Sequence, residues 1–311
     1  VDTFVQDRLK RLSENYTVIH QAYRLQVLTQ KRLSAFYFAQ KDLPIPIDKI
    51  RQAEAEIKKT EGVLSPMRGL AFLPLAATLA MEDNALLLPR TKTLYQELRT
   101  HFMRSDYLLL AALELAKQAD TKNMDETIER MQTLYRTLRG GRLLRVGADD
   151  IILIARLALM DEPTDTLIKQ VNLCYDALRT ALPGGGTLIG VAQYLVMCGN
   201  ASASLLKVSE LARRFTEYGF RMTSRNYIRV LALLAHTEKG SHTLVGETVS
   251  FYNALKKERG FSGWYAWRYE VLLYIAACIA SEGLPEEIVE AQNAYVTAVA
   301  TNIAIAAAAS A

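Results

Sequence analysis

Met103-Arg104-Ser105-Asp106-Tyr107, running on through Leu108-Leu109-Leu110-Ala111-Ala112-Leu113-Glu114-Leu115-Ala116, is a polar turn feeding an apolar, alanine-rich segment. The chain spells this more than once. Upstream, Met67-Arg68-Gly69-Leu70-Ala71 leads into Phe72 to Ala80; downstream, Met222-Thr223-Ser224-Arg225-Asn226-Tyr227 leads into Ile228 to Ala235. Ser105 or Asp106 can cap a helix that starts there, because a side-chain oxygen accepts from an otherwise unpaired N–H of the first turn.

A second signal lies between these copies. Leu94-Tyr95, with Leu98-Arg99 on the next turn, is echoed by Leu134-Tyr135 with Leu138-Arg139, and by Cys174-Tyr175 with Leu178-Arg179. The three tyrosines stand 40 residues apart each time. Phe251-Tyr252 with Leu255-Lys256 adds a copy, and Leu211-Ala212 with Phe215-Thr216 a weaker one. A period of about 40 is the length of a two-helix repeat, whose helices bury their apolar stripes only by stacking on neighbours. The expected fold is all-α: an array of about seven helical hairpins, an α/α solenoid or superhelix that can close toward a toroid. Residues 1–62 read as an N-terminal cap and 63–311 as the hairpin repeats.

In the cap, residues 2 to about 39 contain neither glycine nor proline. Val5, Leu9, Leu12, Tyr16, Ile19 and Tyr23 form a heptad-like seam that then shifts to Leu25, Leu28 and Phe36. One long helix is expected, ended by Pro44 and Pro46, followed by a short charged helix from Ile47 to Glu61. The C-terminal stretch from Thr297 to Ala311 is rich in alanine, and its small side chains permit close packing on a neighbour.

The composition narrows the classes of function. Half of the 311 residues are apolar, and 37 Lys+Arg against 33 Asp+Glu leave a net charge of only +4. That balance argues for neither a nucleic acid nor a membrane partner. Cys174, Cys198 and Cys278 are far apart and odd in number, as expected of small buried hydrophobes in a reducing compartment. No secretory leader pattern stands at the start of the given sequence, and no apolar run reaches the roughly 18–20 residues of a membrane span. The expected location is the cytoplasm.

Chemical motifs are sparse. The four histidines, His20, His101, His236 and His242, form no HExxH pattern, and there is no CxxC. No metal and no cofactor is therefore expected, and no catalytic residue is assigned. The acidic pairs Glu82-Asp83, Asp149-Asp150, Asp161-Glu162 and Glu286-Glu287 fall near helix ends, where they serve as caps or solvated turns. Pro183-Gly184-Gly185-Gly186-Thr187 has the glycines of a phosphate loop without its Lys-Ser/Thr, and reads as a turn between helices.

The candidate binding residues come from the array. Arg68, Arg104, Arg145, Arg221 and Arg225 occur where the first helix of each pair begins, with Arg142 near by. With the phase assumed, they line one edge that can hold an acidic peptide, a phosphorylated ligand or a nucleic acid backbone, although Asp106, Asp149 and Asp150 balance them. Trp264 and Trp267 head the one aromatic concentration and are spaced to share a helix face, a candidate hot spot.

The pattern from Met103 to Leu113, its echo from Ser224 to Ala235 and the alanine-rich end resemble an uncharacterised family of bacterial proteins, mainly Gram-positive, classed as a domain of unknown function. The resemblance spans nearly the whole chain. It implies an all-helical repeat and carries no catalytic residues. The function is accordingly unknown at this level. The leading expectation is a non-enzymatic scaffold that binds a protein or peptide on its concave surface or arginine edge. The rivals are an α/α-toroid-like enzyme with a site at one loop edge, and a structural protein that self-associates through residues 1–40 or the alanine-rich C-terminus.

Overall fold

Helices of two kinds alternate along the chain, and that alternation generates the architecture. A computed structural model describes residues 3–63, 65–140, 146–182, 185–199, 201–220, 222, 225–263 and 267–309. Among the described residues there are fifteen α-helices and no strand: α1 (Thr3–Ala22), α2 (Leu28–Gln40), α3 (Ile47–Thr60), α4 (Phe72–Glu82), α5 (Leu87–Leu98), α6 (Asp106–Lys117), α7 (Met124–Arg139), α8 (Asp150–Leu159), α9 (Thr164–Ala181), α10 (Thr187–Met197), α11 (Ala201–Glu217), α12 (Arg225–Ala235), α13 (Ser241–Leu255), α14 (Arg268–Ala280) and α15 (Glu286–Ala309).

The odd-numbered helices from α1 to α13 are amphipathic. On α7 only a stripe of Thr127, Ile128, Met131, Leu134 and Leu138 is buried; on α9 it is Leu167, Val171, Cys174, Tyr175 and Leu178. The even-numbered helices are enclosed over most of their length. Every residue from Tyr107 to Ala116 on α6, from Leu188 to Met197 on α10 and from Glu270 to Ala280 on α14 is buried. A helix apolar around its whole circumference belongs inside, and one with a single stripe belongs outside. Each outer helix packs on the inner helix that follows it, from α1 on α2 to α13 on α14. The expected pairing was one helix out of phase, because the sequence echoes mark inner-helix starts equally well as the opening or the middle of a hairpin.

Seven hairpins result, and they return to their beginning. Inner helices α6, α8, α10, α12 and α14 contact one another in succession, as do α2 and α4, while α14 and α13 both touch α1. At the closing seam Arg32 of α2 donates through Nε to the Gly260 carbonyl (2.8 Å) and pairs through Nη1 with Glu270 of α14 (2.7 Å). Phe36 and Tyr274 meet across the same seam at 5.1 Å between ring centroids. Gly260 has φ +89°, and a Cβ there would lie 1.8 Å from Tyr16, so this close approach requires glycine.

The alanine-rich α15 fills the centre. It contacts α2, α6, α8, α10 and α14. Tyr295 stacks on Tyr194 of α10 at 4.4 Å, Tyr37 Oη and Thr297 Oγ1 lie 2.9 Å apart, and Gln292 Nε2 donates to the Ala277 carbonyl at 2.8 Å. Ala291, Ala294, Ala298, Ala300 and Ala304 are buried. Small side chains on the axle let these five inner helices approach it closely.

The single long N-terminal helix expected over residues 2–39 is corrected to two. The chain leaves α1 at Ala22 and re-enters helix at Leu28, with Leu25 exposed at the turn. No proline or glycine makes this break. Burial does, since α2 is enclosed from Thr29 to Gln40 and must fold back into the ring. The seam shift between Tyr23 and Leu25 is its trace in the sequence. Residue 62 falls inside the second hairpin, between α3 and α4.

Candidate functional site

The end of the ring where α2, α4 and α6 terminate and α15 begins holds a cavity of about 350 Å³. Toward the other end of the ring a 3-10 turn, Pro66–Arg68, packs against both α4 and α6. The cavity walls carry Tyr37, Gln40 and Lys41 from α2 and its cap, Met81 and Glu82 from α4, Leu110, Leu113, Glu114 and Lys117 from α6, and Glu286, Val289, Glu290 and Asn293 from α15.

Its charges form a chain of ion pairs. Lys117 Nζ lies 2.9 Å from Glu114 Oε1, one helical turn back on the same face. Arg156 of α8 lies 3.1 Å from Glu290 Oε2 and 3.8 Å from Glu114 Oε2. At the rim Lys41 and Glu82 are 3.8 Å apart. Burial alone would pull the Lys117 ammonium down; Glu114, with Glu82 and Glu290 behind it, outweighs burial and holds it above its ordinary value. Burial pushes the Tyr37 phenol well up, and Glu114 adds to this. Gln40 is 7% exposed; its Oε1 accepts from Ser281 Oγ at 3.1 Å, while its Nε2 has no partner among the described residues. Asn293 Oδ1 is likewise buried and without a partner there.

A second cavity of about 730 Å³ adjoins the first, with Leu284 in the wall of both. Ser204, Lys207, His236, Lys239 and Glu282 line it. Lys239 Nζ pairs with Glu282 at 2.7 Å, and Lys207 Nζ is bonded to the Thr237 carbonyl. Burial, reinforced by Lys207, lowers the His236 imidazole below its usual range.

The arginine row is only partly assembled. Arg68 and Arg104 line one shallow cleft of about 410 Å³ with Ser105 and Asp106, away from the mouth cavities. Arg68 Nη1 reaches the Glu61 carbonyl at 3.4 Å, and burial raises the Tyr95 phenol while the near-by Arg104 charge pulls it partly back. Arg142, Arg145, Arg221 and Trp264 lie outside the described residues, as does the side chain of Arg225, which begins α12. So do Pro183 and Gly184 of the glycine run. Trp267 is the residue before α14, half-buried against the core, with its ring 5.4 Å from Tyr269. Trp267 therefore sits apart from the Arg68–Arg104 cleft and from both mouth cavities.

Asp149 and Asp150 do more than cap. Asp149 accepts from Arg229 (2.5 Å) and from Asn302 of α15 (3.1 Å), and Asp150 accepts from the Gly147 N–H (2.6 Å). Asp149 thereby ties the distal half of the axle to the ring. Sequence reasoning passed over Glu114, Lys117, Arg156 and Glu290. The available signal was a charge set inside an otherwise apolar helix, as Glu114 and Arg156 are, since a buried charge persists only with a partner. Among the described residues there is no cluster of three or more His, Cys, Asp or Glu able to hold a metal, and no helix long and apolar enough to cross a membrane.

Fold and site together define an all-α ring of hairpins with an occupied centre and a polar mouth. The chain belongs to the family described as "Protein of unknown function (DUF4003)", which matches residues 15–309. No curated protein and no solved structure matches it.

Proposed function

We propose that this is a non-enzymatic binding protein of the cytoplasm that takes an extended peptide segment of a partner protein across the mouth of the ring. The observation that carries the reading is the pair of cavities that meet at Leu284 at one end of the fold, each lined by both polar and apolar side chains. The concave surface of an open array is not offered, because α15 occupies the centre, so a ligand lies across the mouth. Three free, buried cysteines fit a reducing location.

The enzyme reading draws on Glu114 and Glu290, two carboxylates near one another at the mouth. Arg156 stands between them, in the space a reacting bond would need. Self-association through residues 1–40 or the alanine-rich end has less support, since α2 and the middle of α15 are buried within the ring.

Panning a random linear-peptide display library against the protein tests the proposal. Peptides should enrich, and Leu284→Glu should weaken them at least about tenfold, equal to about 1.4 kcal/mol. Leu25→Glu at the remote turn should change nothing. Lack of enrichment, or binding indifferent to Leu284→Glu, contradicts it.

A further inference from the structure

We infer that the smaller mouth cavity selects a lysine side chain of the bound peptide, an inference that rests on the peptide-binding reading above. The cavity is built for an ammonium on an aliphatic stem. Three inner helices, α2, α4 and α6, direct their C-terminal ends to it, and helix C-termini carry partial negative charge. The opposing positive end of α15 is offset by Glu286 and Glu287 in its own first turn. Four carboxylates, Glu82, Glu114, Glu286 and Glu290, stand against three cations, Lys41, Lys117 and Arg156, which leaves one carboxylate in excess.

The protein has already placed one ammonium in this field. Lys117 sits half-buried beside Glu114 with its charge favoured by the surrounding carboxylates. Met81, Leu110, Leu113 and Val289 supply apolar wall for a methylene stem, which long cationic side chains bury while keeping the head polar.

Two buried polar atoms match a lysine residue rather than a bare amine. Asn293 and Gln40 line the cavity, and Asn293 Oδ1 and Gln40 Nε2 are closed off without a partner among the described residues, an acceptor and a donor that a side-chain rotation would turn toward a bound ammonium and a peptide carbonyl. Gln40 is more than nine-tenths buried, so leaving that donor without a partner carries a desolvation cost that a bound carbonyl removes. Glutamate in the same position would meet wall carboxylates, and norleucine would fill the stem without using the field.

The test uses the full chain and three capped pentapeptides, Ac-Gly-Gly-X-Gly-Gly-NH2 with X lysine, norleucine or glutamate, followed through the labelled methyl resonance of Met81. The lysine peptide should bind at least about tenfold tighter than the norleucine one, and the glutamate peptide should be weakest. The preference should shrink between about 50 mM and about 500 mM salt, as screening requires. Glu82→Gln and Glu290→Gln, checked for unchanged urea midpoints, should each narrow the lysine-to-norleucine ratio. Should either destabilise the fold, the salt dependence of the unmodified protein carries the test alone. Equal binding of all three peptides, a glutamate preference, or no Met81 response at about 10 mM peptide overturns the lysine assignment. If library-selected peptides still bind in a Leu284-dependent way, only this inference falls; if they do not, the binding reading falls independently.

Discussion

Arg32 on α2 and Glu270 on α14, 238 positions apart in the sequence, form an ion pair of 2.7 Å with each side chain 1% exposed. The pair sits where the last hairpin meets the first. Two charges in such a place are costly to desolvate, and their mutual attraction offsets that cost only while both are present.

Removing one partner should therefore be worse than removing both. Arg32→Met or Glu270→Leu alone should each lower the unfolding free energy by roughly 3–5 kcal/mol, and the double variant should recover most of the loss. Urea denaturation of the four proteins measures this as a double-mutant cycle. Additive losses would mean that the pair is not the unit that closes the seam.

Two glycines probe close approaches of opposite kinds. Gly260→Ala should cost roughly 3 kcal/mol or more, because the backbone is left-handed there and Tyr16 occupies the space. Gly190→Ala on α10 would ordinarily gain up to about 1 kcal/mol of helix propensity. Here its Cβ would lie 2.6 Å from Asp150 Oδ1, and Asp150 is pinned through Oδ2 to the Gly147 N–H. Overpacking should win, with a loss of about 1–3 kcal/mol that disappears in an Asp150→Ala background. Thermal melts of the single and double variants decide it.

Asp150 also sets a pH dependence. Burial, then the neighbouring Asp149 carboxylate, raises its pKa well above 3.8, while the Gly147 N–H and Arg229 pull partly the other way. The folded state thus keeps a proton that the unfolded chain releases. The associated stability is complete below 3.8 and is lost as the pH rises through the folded value. Asp150→Asn retains an acceptor for Gly147 and removes the titration. Relative to the unmodified protein, its urea midpoint should improve steadily from acid toward neutral pH; a constant offset would show that Asp150 does not titrate differently on folding.

The same particulars show what the sequence could disclose. The outer face was legible because it repeats: Tyr95, Tyr135 and Tyr252 each lie beneath a basic residue one turn on, Arg99 at 5.9 Å, Arg139 at 5.8 Å and Lys256 at 5.4 Å from the ring centroid. Period and composition express such local pairs directly. The turn between α1 and α2 was hidden, since no backbone-breaking residue makes it and only the demand to bury α2 explains it. The mouth was hidden for a related reason. Glu114, Arg156 and Glu290 come from three separate elements, and a lone charge in an apolar helix announces that a partner exists without saying which. Local chemistry does not distinguish α15 as an axle from α15 as another hairpin member, because its alanines suit either.

Its position makes α15 sensitive to bulk. Ala300 is fully buried, so Ala300→Leu should destabilise by about 1–3 kcal/mol through overpacking, whereas the same change at the exposed Ala306 should be within about 0.5 kcal/mol. Comparable effects at the two positions, read as urea midpoints, would place the helix at a surface instead.

Hydrogen–deuterium exchange over residues 291–304 tests the occupied centre most directly. If α15 is the axle, those amides open only with the whole ring and exchange as slowly as those of α6 and α10. Rapid exchange there, while α6 and α10 stay protected, would show a peripheral tail and contradict the closed arrangement described above.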